Sequence, residues 1–418
     1  MSTTLSSERT PWWSFSTAGR VSFGHYSSRF LPEVVGELGD RVLVCTDANL
    51  VAAGVIEPIV SALRRVPGVE VLVFDEGQAE IGFEGAERCT AHVRSFAPNV
   101  VVGIGGGSNL DLAKVVAARV GDPRPISSWS SQGVPSSALP VVALPTTAGT
   151  GSEVTAIAVL TDEANQTKVG FQSHALLPRA VLVDPLLTLS CPAKVTAYSG
   201  MDALTHAIEC FTAISFEDKD VQKYSDQLFV GKNPVSDALA KDAITFIGRS
   251  LVAAVRSGDD VEARTGMALG SLMAGMAFSS GGTAIVHALQ YPLGALTKTA
   301  HGLGNAVLLP SAVRFNLPVR QREGAIVARL LGSLETSDAD AASELPEILE
   351  RLALAVGISP SLRSLGVDDA DLAPMASAAG RIKRLVSNNP RPVDDDALLD
   401  VLRGALDYVA SSDNGVVR

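Results

Sequence analysis

Short β-branched, apolar runs alternate with helix-like stretches through the first 190 residues, and this alternation constrains the chain more than any other feature. It is the pattern of a parallel sheet whose strands are joined by crossover helices. The runs fall at residues 41–47 (RVLVCTD), 69–75 (VEVLVFD), 100–104, 141–145 and 179–184, each bounded by turn residues. Residues 153–160 and 168–173 are expected to form a hairpin around residues 162–166. After Cys191-Pro192 strand-like runs almost vanish, and Ala/Leu/Ile-rich segments with helical spacing continue to the end. A chain of 418 residues exceeds what one hydrophobic core usually serves. The expectation is an α/β domain over residues 1–190, with a parallel sheet, and an all-α domain over residues 191–418. Within the helical part, Asn233-Pro234 reads as a helix start, and residues 262–280 are crowded with small side chains that let helices approach closely.

A formal net charge of −11, with no local basic patch, disfavours nucleic acid and anionic membrane surfaces as partners. Cys45, Cys89, Cys191 and Cys210 are scattered and form no C-x-x-C pair, which suggests neither a disulfide framework nor a cysteine metal site. The first dozen residues lack the basic start and apolar stretch of a secretory signal, and no segment reaches the length of a membrane span. A cytoplasmic protein is expected.

Two loops carry polar ligand-binding chemistry. Gly105-Gly106-Gly107-Ser108 follows an apolar run and precedes the helical pattern of residues 110–114. Glycines let backbone approach a pyrophosphate, and the unpaired N–H groups at a helix N-terminus favour its charge, although a plain tight turn uses the same residues. The second loop, PTTAGTGSE at residues 145–153, joins hydroxyls to glycines at the end of another strand. Such loops at the carboxyl ends of parallel strands are where α/β sheets place ligands. Asp47, ending the run RVLVCTD, is positioned either to accept hydrogen bonds from the ribose hydroxyls of NAD, repelling the 2′-phosphate of NADP, or to cap the following helix.

A metal-binding pattern lies in the helical part. Asp202 and His206 have the i, i+4 spacing that puts a carboxylate and an imidazole on one helix face. His287 and His301 follow, separated by Tyr291-Pro292-Leu293-Gly294, which is expected to end one helix before His301 opens the next. An imidazole without a partner is disfavoured in apolar surroundings, and three of the chain's six histidines lie in this region. One carboxylate with three imidazoles suits Fe(2+) or Zn(2+). His25, His92 and His174 fit no such pattern and read as structural or surface residues.

With these motifs in place the sequence resembles the iron-containing (group III) alcohol dehydrogenase family over nearly its whole length. The resemblance rests on GGGSNLDLAK at residues 105–114, PTTAGTGSEVT at 145–155, GMDALTHAIE at 200–209 and HALQYPLGALTKTAHGLGNA at 287–306, in that order. It implies Asp202, His206, His287 and His301 as metal ligands, and Gly106, Gly107, Ser108 and Asp111 on the pyrophosphate side of the cofactor. It places Thr146, Thr147 and Thr150 along the nucleotide, and Lys168 and Leu187 at further positions of the cofactor cleft. Tyr291 stands where many members carry another histidine near the nicotinamide, and becomes the candidate catalytic residue for proton transfer or substrate fit. The resemblance also implies that the first domain binds a dinucleotide, that the active site lies in the cleft between the two domains, and that the protein forms a homodimer or larger homo-oligomer.

The expected reaction is metal-assisted hydride transfer between NAD(H) and a small alcohol, aldehyde or ketone, with NAD preferred to NADP. The apolar side chains of Phe171, Leu204, Phe278 and Leu289 read either as walls of a pocket for such a substrate or as core. Two alternatives stand beside this reading: a hydroxyacid–oxoacid transhydrogenase that keeps its nucleotide bound, and a non-catalytic metal- or nucleotide-binding protein.

Overall fold

A computed structural model describes residues 12–165, 167–219 and 228–408; residues 1–11, read above for a leader, and Gln166 of the expected hairpin turn lie outside them. The strands are β1 (Val21–Phe23), β2 (Arg41–Cys45), β3 (Glu70–Phe74), β4 (Val100–Gly105), β5 (Val141–Pro145), β6 (Ile157–Asp162), β7 (Thr167–Gln172) and β8 (Ala180–Val183). Six of them form one sheet in the order β1-β8-β5-β4-β2-β3, every pair parallel. β4 and β5 are buried along their whole length, as strands covered on both faces by crossover helices must be. Successive side chains serve opposite faces: Leu43, Cys45 and Val101 join one apolar cluster, and Val42, Val44, Val100, Val102 and Ile104 the other.

The order of the strands positions a site. From β2 the chain moves outward to β3, then returns to lay β4 on the other side of β2 and continues through β5 to β8. The winding therefore reverses between β2 and β4, and the loops leaving their carboxyl ends diverge to leave a crevice. Asp47 and the glycine turn lie at these two ends.

Two local expectations need correction, and one strand lies outside those expected. The edge strand β1 has no strong signal of its own, being three residues long and held by its pairing with β8. The antiparallel hairpin pairs β6 with β7, so its first strand begins at Ile157 and not at residue 153; Ser152–Val154 form a 3-10 turn entered through Gly151 at φ +62°. The helix bearing His287 does not end at Tyr291–Gly294 but runs Ile285–Thr297 through Pro292, and the chain turns at Lys298 with φ +56°. A proline there forfeits one backbone hydrogen bond, which the burial of Leu289 and Leu293 on either side of it outweighs.

Beyond residue 192 the longer helices are Ala193–Thr212, Pro234–Arg256, Val261–Gly281, Ile285–Thr297, His301–Leu330 and Asp338–Ala355. Asn233 caps the Pro234–Arg256 helix in a reciprocal capping box with Ser236. The small residues of the Val261–Gly281 helix allow close contact with the threonine loop: a Cβ on Gly275 would lie 2.7 Å from Gly151 Cα. Among the described residues no single helix is long and apolar enough to cross a membrane.

Candidate metal centre and nucleotide cleft

Helix packing brings the four expected ligands together. Asp202 and His206 lie one turn apart on the Ala193–Thr212 helix, His287 sits in the first turn of Ile285–Thr297, and His301 begins His301–Leu330. Asp202 Oδ1 lies 3.9 Å from His206 Nε2, 3.8 Å from His287 Nε2 and 3.7 Å from His301 Nε2. One ligand atom from each of Asp202, His206 and His287 falls within 4.8 Å of the others, and these three residues are buried; His301 joins them through Asp202. The side chain of His301 is 30% exposed, which makes it the open corner of the cluster.

Electrostatics suit the same arrangement. Burial lowers the His206 imidazole to about 4 against the opposing pull of Asp202. Burial lowers the His301 imidazole to about 3, with Asp202 opposing the shift and His287, Lys168 and His206 adding to it. Burial works to raise Asp202, but the surrounding imidazoles of His206, His301 and His287 and a hydrogen bond from Asn305 hold it below its ordinary value. An ionised Asp202 facing the neutral imidazoles of His206 and His301 at neutral pH is the protonation state a divalent cation needs.

Three further residues, not singled out by the sequence, orient these side chains. Glu209 Oε2 accepts from His287 Nδ1 at 2.5 Å, and Gln290 Oε1 accepts from His301 Nδ1 at 2.6 Å. With those protons on Nδ1, the Nε2 lone pairs of both rings face the cluster. Asn305 Nδ2 donates to Asp202 Oδ1 at 2.7 Å and lies 3.2 Å from each of these Nε2 atoms. His206 Nδ1 is buried without a hydrogen-bond partner of good geometry, although the Gly149 backbone favours its protonation. The signal that could have found these residues is spacing: Glu209 and Gln290 lie three residues beyond His206 and His287, and Asn305 lies four beyond His301, although Glu209 and Gln290 each bond a histidine of another helix.

The phenylalanine Phe278 stacks on His206 at 4.3 Å between ring centroids, with 17° between planes. Leu204 and Leu289 are fully buried in the helical core, and Phe171 packs against Phe83 and Trp129 beside the sheet, so of the four apolar candidates only Phe278 touches a site residue in this way. The half-buried Tyr291 ring lies 6.4 Å from the His301 ring.

At the sheet's carboxyl edge the glycine turn and the threonine loop meet. A Cβ on Gly107 would lie 2.6 Å from the Thr150 side chain, and one on Gly106 would lie 3.4 Å from Thr147. The closeness at Gly107 leaves no room for a side chain unless Thr150 shifts, whereas the contact at Gly106 is an ordinary one, and the first turn of the Gly107–Arg119 helix faces the hydroxyl loop. Thr146 is buried, whereas Thr147 and Thr150 are half-buried. Asp47 caps the helix Ala48–Ala52 by accepting from the N–H groups of Asn49 and Leu50, and its Oδ2 accepts from Asn109 Nδ2 at 2.6 Å. Ser108 Oγ donates to the Ala79 carbonyl.

Asp111 turns inward. Its carboxylate accepts from Ser152 Oγ at 2.5 Å and Val159 N at 2.8 Å, and stands 3.6 Å from the Nζ of the fully buried Lys114. Burial raises its pKa although Lys114 opposes the shift. Lys168 pairs with Glu80 at 2.8 Å, and its charge also acts on His301. Leu187, half-buried in the turn Pro185–Thr188, packs against the apolar cluster on one face of the sheet.

Comparison with known proteins agrees with this architecture. The profile described as iron-containing alcohol dehydrogenase matches residues 18–185, and that of the C-terminal region of the Fe-containing alcohol dehydrogenase family matches residues 196–406. The chain belongs to the iron-containing alcohol dehydrogenase family and is an oxidoreductase of that class. It is 37% identical to long-chain-alcohol dehydrogenase 1 of Geobacillus thermodenitrificans, over 87% of this chain and 89% of the relative. Identity is 36% to 1,3-propanediol dehydrogenase of Klebsiella pneumoniae, covering 89% and 94% of the two chains. Among solved structures, a 1,3-propanediol oxidoreductase superposes with a TM-score of 0.86 at 33% identity, covering 94% of this chain and 100% of that one.

Proposed function

We propose that the protein transfers hydride between NAD(H) and a small alcohol, aldehyde or ketone, at a divalent metal held by Asp202, His206, His287 and His301. The observation that carries this reading is the convergence of three imidazole Nε2 atoms on one carboxylate oxygen, at 3.7–3.9 Å, with two of the rings bonded outward through Nδ1. The donor set fits Fe(2+) or Zn(2+), and the family name favours iron. When bound, the metal supplies Lewis acidity toward the substrate oxygen.

The chain's own residues do the rest. The N–H groups opening the Gly107–Arg119 helix, with Gly106, Gly107 and Ser108, bind the pyrophosphate, and Thr147 and Thr150 orient the nucleotide from the facing loop. Asp111 acts from behind these loops by holding Ser152, while Thr146, Lys168 and Leu187 border the cleft. Phe278 excludes water from one side of His206, and Tyr291 shapes the open side near His301. Asp47 favours NAD, in keeping with a relative named NAD-dependent methanol dehydrogenase in Bacillus methanolicus. The cleft lies between an α/β part over residues 1–190 and a helical part over 191–418, and the protein assembles as a homodimer or larger homo-oligomer.

The test is a panel of alcohols and aldehydes with NAD and NADP, run on protein stripped by a chelator and then given Fe(2+) or Zn(2+). Turnover should vanish on stripping and return with the metal, and His206→Ala should not respond to metal. Full activity in stripped, metal-free protein would overturn the reading.

A further inference from the structure

Two buried carboxylates, not one, belong to the metal cluster. Asp202 faces the three Nε2 atoms, while Glu209, also buried, sits behind His287 on the far side of the ring. Glu209 comes from the same helix as Asp202 and His206, and both of its oxygens are engaged by donors: Oε1 by the Val286 N–H at 2.7 Å and Oε2 by His287 Nδ1 at 2.5 Å. With His287 Nε2 turned to the cluster, its Nδ1 carries the proton that Oε2 accepts, so both carboxylate oxygens act as acceptors.

The other two imidazoles are supported differently. His301 Nδ1 donates to an amide oxygen, that of Gln290, and His206 Nδ1 has no partner of good geometry. The three rings are therefore graded by what stands behind them: a carboxylate behind His287, a side-chain amide at 2.6 Å behind His301 and, behind His206, only the Gly149 backbone at poorer geometry. A hydrogen bond to a carboxylate increases the basicity of the opposite ring nitrogen most.

We propose that Glu209 is the second counter-charge of the metal site and a positioning residue for His287. This rests on the metal reading above. A divalent cation beside Asp202 alone would leave a net positive charge among apolar side chains, and a buried uncompensated charge is costly. Glu209 brings the set of one dication, two carboxylates and three neutral imidazoles to neutrality. It also makes His287 the strongest of the three nitrogen donors. The purely architectural reading, in which Glu209 only ties the start of the Ile285–Thr297 helix to its neighbour through Val286, predicts equal loss of stability with and without metal.

Glu209→Gln separates the two because it keeps the shape and removes the charge. The full-length protein is stripped, and Co(2+) and Zn(2+) affinities are measured by visible absorbance and by competition with a chromogenic chelator. The variant should bind both metals about 10–100-fold more weakly, the usual cost of losing an outer partner of a metal-bound histidine. Its stripped form should melt close to stripped wild type. Affinity within about threefold of wild type, or equal loss of stability with and without metal, overturns the proposal.

Should Glu209→Gln fail to fold, Gln290→Glu asks the same question in reverse. Gln290 Nε2 has no hydrogen-bond partner, so the exchange sacrifices no bond and places a carboxylate behind His301. Binding should tighten by about tenfold, and unchanged or weaker binding overturns the proposal. Wild-type protein that takes up no divalent metal sinks the metal reading itself, whereas tight wild-type binding matched by both variants sinks only the role of Glu209.

Discussion

Replacing Lys114 by Met removes the charge that ties the glycine-turn helix to the threonine loop while keeping most of the side-chain volume. Lys114 is fully buried; its Nζ donates to Ser152 Oγ at 2.8 Å and to the Ile157 carbonyl at 2.7 Å, and stands 3.6 Å from Asp111. Each hydrogen bond from a charged donor is worth about 1.5–3 kcal/mol. These losses do not simply add to that of the ion pair, and breaking a buried pair by removing one partner costs about 3–5 kcal/mol in all. Protonation limits the penalty. Asp111 already lies above its ordinary range through burial, with Lys114 opposing that shift, so in the variant it rises further. A carboxyl whose folded-state pKa exceeds its unfolded value stabilises the fold fully below the unfolded pKa, and that contribution is lost as pH rises through the folded value.

The deficit of Lys114→Met should therefore grow from mildly acidic to mildly alkaline pH. At the alkaline end it corresponds to a Tm roughly 10 °C lower if the sheet half melts as one unit. Differential scanning calorimetry of nucleotide-free protein across this range measures it. Adding Asp111→Asn should restore part of the loss, because the orphaned carboxylate goes with it. KM for NAD should rise more than kcat falls, since Ser152 links the network to the threonine loop proposed to hold the nucleotide. A Tm within about 2 °C of wild type at alkaline pH, or a loss independent of pH, would refute the reasoning.

Tyr291→Phe removes only a hydroxyl: a fall in kcat with metal content retained assigns the phenol to proton transfer, while an unchanged pH–rate profile and near-normal kcat leave it as a pocket wall. Asp47→Gly should lower the ratio of NAD to NADP efficiency by relieving repulsion of the 2′-phosphate, at a cost of a few tenths of a kcal/mol in capping. An unchanged ratio in steady-state kinetics would leave Asp47 as the cap of Ala48–Ala52 alone.

Much of this could be read from the chain because it is local. A buried parallel strand needs an unbroken β-branched run, and β4 and β5 lie where residues 100–104 and 141–145 announced them. Helical periodicity alone puts Asp202 and His206 on one face, and the Asn233-Pro234 start is a property of neighbouring residues. Tertiary structure decided what depends on partners far away in sequence. β1 exists because β8 offers it an edge, and the helix through Pro292 persists because Leu289 and Leu293 are buried. Asp111, in a motif that suggests phosphate contact, turns its carboxylate to Ser152 and Val159. The convergence of His287 and His301 on Asp202, and the places of Glu209, Gln290 and Asn305 behind them, come from the packing of three helices. Strand and helix propensities are set by near neighbours, but a buried polar atom must find its partner across the fold, and only the packed chain determines which one it meets.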